Sequence, residues 1–282
     1  MTPRRNRQKI AFVLGGGGSL GALEVGMLRA LLERDIRPDI VLGTSVGALN
    51  GAAVAAQPDL AMIDLLETTW RNLATDPVYG GSFFSTAATI IRSKVSIHPN
   101  GPLRSLIRRT LPVRRFEDLA IPFQCVAACI ERASEHWFHA GDLEPAILAS
   151  TAVPGLLPPV KVGQEHFMDG GLVNSIPLER GFQLGAKEVY VLHVGRIEQP
   201  LAPPRNLLQA TIVAFEIARR NRFARDLEAR PEDVEVHVLP TGGSRTRADR
   251  SPLRYRDMTE VGAQIDRAHA ATSRYLSRMV KK

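Results

Sequence analysis

The pentapeptide Gly43-Thr44-Ser45-Val46-Gly47 joins the apolar run Ile40-Val41-Leu42 to the small-residue segment Ala48–Ala56. A β-branched strand, a G-x-S-x-G and an Ala/Gly-rich helix in direct succession leave the chain few options. Such a serine sits on a sharp strand-to-helix turn with its hydroxyl exposed. Gly43 and Gly47 relieve crowding where the two backbones pass close together. The helix that follows is apolar on nearly every side, as a helix packed between a sheet and an outer layer must be. A blander use of Thr44 and Ser45, as a helix cap, fits the same residues.

The same pattern occurs earlier in the chain. Ile10–Leu14 is a short apolar run, Gly15–Gly18 follows, and a periodic apolar segment extends from Ala22 to Leu32. Further on, helices are predicted over Leu60–Leu73 and Pro177–Leu184, and strands over Phe123–Ile130 and Val189–Val194. Residues 76–101 read as a loop-rich excursion. The proline-rich stretch Ala152–Pro159 suits neither helix nor sheet interior. Beyond Pro200 the pattern is two long helical segments, about 206–229 and 253–280, around a short strand at Val234–Leu239. Strands alternating with helices predict an α/β fold, a three-layer α/β/α sandwich with a mainly parallel central sheet. The strand at Val189–Val194 closes this α/β pattern. A basic, mostly helical C-terminal region, 198–282, is expected to pack on it or continue it.

Composition narrows the function classes. With 44% hydrophobic and 23% charged residues the chain reads as an ordinary globular protein. No apolar stretch approaches the eighteen residues or so of a membrane-spanning helix. Arg4, Arg5, Arg7 and Lys9 before Ile10 resemble the start of a signal peptide, but the run ends in glycines without a cleavage site, so a buried strand and a cytoplasmic protein are expected. Cys125 and Cys129, four residues apart on one strand, lie roughly 13 Å apart, too far for a disulfide. Residues 1–199 carry 20 basic and 19 acidic side chains, and residues 200–282 carry 16 and 10, so the net charge of +7 resides mainly in the C-terminal part. Arg219, Arg220, Arg222 and Arg225 follow apolar Leu207, Leu208, Ile212, Val213 and Phe215. That segment suits either peripheral contact with an anionic membrane or a packed helix with its arginines in solvent. No nucleic-acid role is expected, because aromatics do not interleave with the charges.

Gly16-x-Gly18-x-x-Gly21 fits a dinucleotide-binding turn, and hence an oxidoreductase, but that reading needs an acid at the end of the second strand, and Asp39 stands at its beginning. The same glycines could instead turn backbone N–H groups toward a developing oxyanion. Ser45 needs a base. His193, His237 and His269 follow Asp169 in the order Ser, acid, His of an α/β-hydrolase, yet the elbow comes too early in the chain for that fold and His193 lies inside an apolar strand. Asp169-Gly170-Gly171 offers a carboxylate that could act alone if its site raises its pKa. A Gly-rich turn with a local aspartate hydrogen bond remains equally open.

Gly16–Gly21, Gly43–Ala48, Ala149–Gly155 with Pro158-Pro159, and Asp169–Pro177 together resemble the patatin-like phospholipase family over about residues 8–197. The resemblance implies an α/β/α sandwich and a Ser45–Asp169 dyad that hydrolyses lipid or fatty acyl esters with no metal and no cofactor. It also implies oxyanion donors among Gly16, Gly17 and Gly18, with Gly17 and Gly18 foremost, supported by Gly43, Gly47 and Gly170. One departure stands out: Leu20 occupies a position where the family often has Arg or Lys. A catalytically silent lipid-binding protein is the alternative from another class.

Overall fold

The computed structural model describes residues 8–75, 100–194, 200–204, 207–243 and 260–279. Strands β1 (Ile10–Leu14) and β2 (Ile40–Thr44) are buried at every position, because helices cover both of their faces. Each leads through glycines into a helix, β1 into α1 (Ala22–Leu32) and β2 into α2 (Val46–Ala56). Then come α3 (Leu60–Thr75), α4 (Gly101–Thr110), β3 (Phe123–Cys129), β4 (Ser134–Phe138) and α5 (Leu143–Ser150). The chain continues with β5 (Val160–Val162), β6 (Glu165–Asp169), α6 (Leu178–Gln183) and β7 (Glu188–Leu192). It closes with α7 (Leu207–Glu228), β8 (Glu235–Val238) and α8 (Val261–Met279).

All eight strands belong to one sheet. Its parallel part runs β3-β2-β1-β7-β8, while β4, β5 and β6 join antiparallel. Alternate residues of β1 feed two cores. Ile10, Phe12 and Leu14 face α1, α2 and α8, whereas Ala11 and Val13 face Leu178 of α6 and Phe223 of α7. That is an α/β/α sandwich with a mostly parallel sheet. The residues after Pro200 continue the same body: β8 pairs in parallel with β7, α8 lies along α1, and α7 packs on α6.

The register around β3 positions the site. Cys125 and Val126 pair with β2 on one edge and with β4 on the other, and Ala127–Cys129 pair with both β4 and β6. Strand β6 therefore occupies the same edge of β3 as β2, beyond the end of β2. Thr44 lies opposite Val126, and Asp169 lies opposite the next residue, Ala127. The two strands meet nearly end to end, one carrying Ser45 and the other ending in Asp169.

Several elements differ from the sequence reading. Helices α4 and α5 and strand β4 were not expected. Of the predicted loop-rich excursion, 76–99 lies outside the described residues, as does 253–259 of the last predicted helix. Of the arginines of helix α7, Arg225 is exposed, whereas Arg219, Arg220 and Arg222 pair with acids. Arg219 is 4% exposed and donates to Glu216 at 2.8 Å. Arg222 bridges Asp226, Glu135 and Glu179, and Arg220 pairs with Glu216. Most of that basic run neutralises acids of its own fold. The N-terminal half of the helix keeps Ile217 57% exposed.

Candidate active site

Ser45 is held at φ +55°, ψ −122°, a region that non-glycine residues avoid. The surroundings leave it no alternative. A Cβ on Gly43 would strike the Gly47 carbonyl and the Ala48 backbone, and one on Gly47 would lie 2.5 Å from the Leu14 oxygen, so strand and helix approach at glycine distance. The Ser45 amide donates to Ser150 Oγ at 2.9 Å, and that hydroxyl donates to the Val126 carbonyl at 2.7 Å. The Ser45 side chain caps nothing: its Oγ donates to Asp169 Oδ2 at 2.6 Å.

Asp169 ends β6 with its other oxygen, Oδ1, accepting the Gly171 amide at 2.7 Å. Gly170 lies flat against the Val126 carbonyl, where a Cβ would collide. Asp169 is 4% exposed, and burial pushes its carboxyl up from 3.8 to about 6, against the opposing pull of the Ser45 and Gly171 hydrogen bonds. Thr44 Oγ1 donates to the Asn174 carbonyl at 2.9 Å, which fastens the turn after β6 to the end of β2.

The glycine run divides. Gly15 donates its amide to Leu192 O at 3.0 Å and Gly16 donates to Ser175 O at 2.8 Å. Gly16 is therefore no oxyanion donor, since its N–H is already spent on the chain crossing beside it. The Gly17 and Gly18 amides meet no acceptor among the described residues. Gly18 takes φ +57°, and a Cβ on Gly17 would run into Val194. Leu20 is half-buried and packs against the hydrophobic core.

Two of the three histidines stand elsewhere. His237 packs between Tyr190 and Tyr275, and His269 pairs with Glu33 at 2.7 Å. No hydrogen bond joins a histidine to Ser45 or Asp169 among the described residues. Asp39 accepts the Ile10 amide at the opposite end of the sheet, so it cannot serve a nucleotide at the glycine turn. Also among the described residues, no group of His, Cys, Asp and Glu could hold a metal ion, and no helix is long and apolar enough to cross a membrane. Cys125 and Cys129 are both free.

Sequence reasoning missed two supports. Ser150 lies within the Ala149–Gly155 segment, and no pattern announces a hydroxyl that bridges a turn to a strand 24 residues away. The second is a buried cluster behind the site. Asn50 of α2 donates to Glu24 Oε2 at 2.8 Å and to Gly21 O at 3.0 Å, and accepts from Trp70 Nε1 at 3.1 Å. Glu24 is fully buried, and burial lifts its carboxyl well above the ordinary range. The helix after the glycine turn is thereby tied to the helix after the elbow.

A sandwich that presents a strained serine bonded to a buried aspartate is an α/β protein built around a serine–aspartate pair. The chain belongs to the patatin-like phospholipase family, whose profile matches residues 12–181. It is 33% identical over 192 residues to a patatin-like phospholipase domain-containing protein of Caenorhabditis elegans, covering 67% of this chain and 14% of that protein. It is 28% identical over 200 residues to a lysophospholipase of Aspergillus terreus, covering 68% of this chain and 12% of that one. The chain thus spans only 12–14% of the length of these curated relatives. The solved structure of VipD from Legionella pneumophila superposes with a TM-score of 0.48 at 13% identity, covering 96% of this chain and 67% of that one.

Proposed function

We propose that this chain is a serine hydrolase of lipid acyl esters that works through an acyl-enzyme on Ser45. The observation that carries the reading is the 2.6 Å hydrogen bond from Ser45 Oγ to the buried Asp169 carboxylate, made at a strained elbow. Asp169 takes the Ser45 proton as Oγ attacks the ester carbonyl. The Gly17 and Gly18 amides receive the negative charge that develops on the carbonyl oxygen. Asp169 then returns the proton to the departing alcohol. In the second half it accepts a proton from water, hydroxide attacks the acyl carbon, and Ser45 leaves with the proton restored. Burial supports this assignment: a carboxyl near 6 is a stronger base than an exposed aspartate and is still ionised at neutral pH. The steps draw on no metal and no cofactor.

The name of the fungal relative, a lysophospholipase, points to lipids with one acyl chain as the first substrates to try. Labelling with a fluorophosphonate, followed by identification of the modified peptide, tests the nucleophile, and release of fatty acid from lysophosphatidylcholine tests the substrate class. Label on the peptide containing Ser45, lost in Ser45→Ala, is expected. Turnover that survives both Ser45→Ala and Asp169→Asn sinks the reading.

A further inference from the structure

We infer that the Ser175 hydroxyl is a third oxyanion donor, and that Gly16 lacks a side chain because one would stand between that hydroxyl and Ser45. The inference rests on the serine-hydrolase reading and adds a residue to it. Ser175 is locked beside the glycine turn by the 2.8 Å bond from the Gly16 amide to its carbonyl. The residue is 3% exposed, yet its Oγ makes no hydrogen bond to a described residue and is not sealed from solvent. An almost wholly buried serine with an unengaged, wetted hydroxyl must aim that hydroxyl into a cleft. Polar groups so placed are ordinarily bonded within the protein.

The cleft can be located. The point a Cβ of Gly16 would occupy lies 3.3 Å from Ser175 Oγ and 3.4 Å from Ser45 Cβ. Ser45 and the Ser175 hydroxyl therefore flank the same side of Gly16, and any side chain on residue 16 would stand between them. A carbonyl oxygen lying over that bare side, at contact distance from the Gly16 α-carbon, has the Ser175 hydroxyl as a donor beside the Ser45 nucleophile. Gly16 thus contributes absence of bulk, where the sequence had suggested an N–H.

Two variants separate this from a structural role. Ser175→Ala is expected to lower kcat for ester hydrolysis by about 10- to 100-fold with KM within twofold, the pattern of an interaction made only in the transition state. Ser175→Thr, which keeps the hydroxyl, is expected to retain most of the rate. Gly16→Ala is expected to fold with a modest loss of Tm, because its methyl needs no left-handed backbone but presses on Ser175 Oγ and Ser45 Cβ at 3.3–3.4 Å, yet to lose most of kcat because that methyl stands between Ser45 and the Ser175 hydroxyl. Wild-type turnover that depends on Ser45 but is unchanged within twofold by Ser175→Ala overturns this inference alone. So do equal losses in Ser175→Ala and Ser175→Thr, or a fully active Gly16→Ala. Wild-type turnover that ignores Ser45→Ala overturns the serine reading and this one with it.

Discussion

Replacing Asp169 by Asn removes the proposed base and should also make the protein more stable at neutral pH. Burial raises the Asp169 carboxyl from 3.8 to about 6 in the folded protein. An acid whose folded pKa exceeds its unfolded one holds its proton more tightly in the native state, so this group's contribution to stability falls as pH rises from 3.8 to 6. Above pH 6 it is ionised in both states, and the folded protein bears the full cost of a buried charge. That cost is the gap of about two pH units at 1.36 kcal/mol each, or about 3 kcal/mol as an upper bound. Below pH 3.8 the group is neutral in both states and the cost vanishes. Asn keeps the shape and can still accept the Gly171 amide, while its NH2 can donate to the Ser45 hydroxyl. Urea denaturation of Asp169→Asn and wild type at pH 4.5, 6 and 8 reads the difference. The variant should be more stable by up to about 3 kcal/mol at pH 8, with the gap closing toward pH 4.5, and it should be inactive. In the wild type the same group should cut kcat/KM about tenfold between pH 7 and pH 5, since about a tenth of a carboxylate with pKa 6 is ionised at pH 5. A gap that does not change with pH, or a variant less stable at pH 8, refutes the argument.

Other perturbations follow from single contacts. Gly17→Ala drives a methyl into Val194 and should cost about 1–3 kcal/mol by overpacking, with partial recovery in the Gly17→Ala/Val194→Ala double variant measured by thermal melting. Ser150→Ala strips partners from the Ser45 amide and the Val126 carbonyl, both buried, and should cost about 1–3 kcal/mol in denaturation and lower kcat by loosening the elbow. Burial pushes the Cys125 thiol far up and the thiolate is the reactive form, so mass spectrometry after iodoacetamide should find this cysteine labelled only in denaturant.

What could be read in the sequence was whatever the chain specifies over a few neighbouring residues. Strand, glycines and helix from Ile10 to Leu32, and again from Ile40 to Ala56, are fixed by local periodicity and by turns that only small residues can make. The misses fall where local signals mislead or tertiary pairing decides. Helix α4 carries Leu103, Leu106, Ile107 and Thr110 on its buried face, a helical spacing, but Gly101-Pro102 reads as loop punctuation although proline suits a first helical turn. Strand β4, Ser-Glu-His-Trp-Phe, lacks an apolar alternation because as an outer strand it is only half-buried. Arg222 of α7 reads as a solvent-facing arginine because nothing nearby in sequence foretells Glu135 and Glu179 arriving from other elements.

The site itself shows the same division more sharply. Ser45 is legible because its strain is imposed by its immediate neighbours, Gly43 and Gly47. Asp169 is not, because its role depends on 124 residues of intervening chain returning β6 to the edge of β3 that β2 has just vacated. A one-residue slip of β6 along β3 would turn Asp169 to the other face of the sheet and break the pair without altering either motif. The Gly170 contact with the Val126 carbonyl and the Asp169 amide bond to Ala152 O hold that register from both sides. The Asp-Gly-Gly motif is thus better understood as what fixes the register of an acid on a sheet edge than as a turn in which an aspartate happens to occur. The proline-rich segment before it supplies the Ala152 carbonyl that seats the acid, and regular helix would have consumed that acceptor.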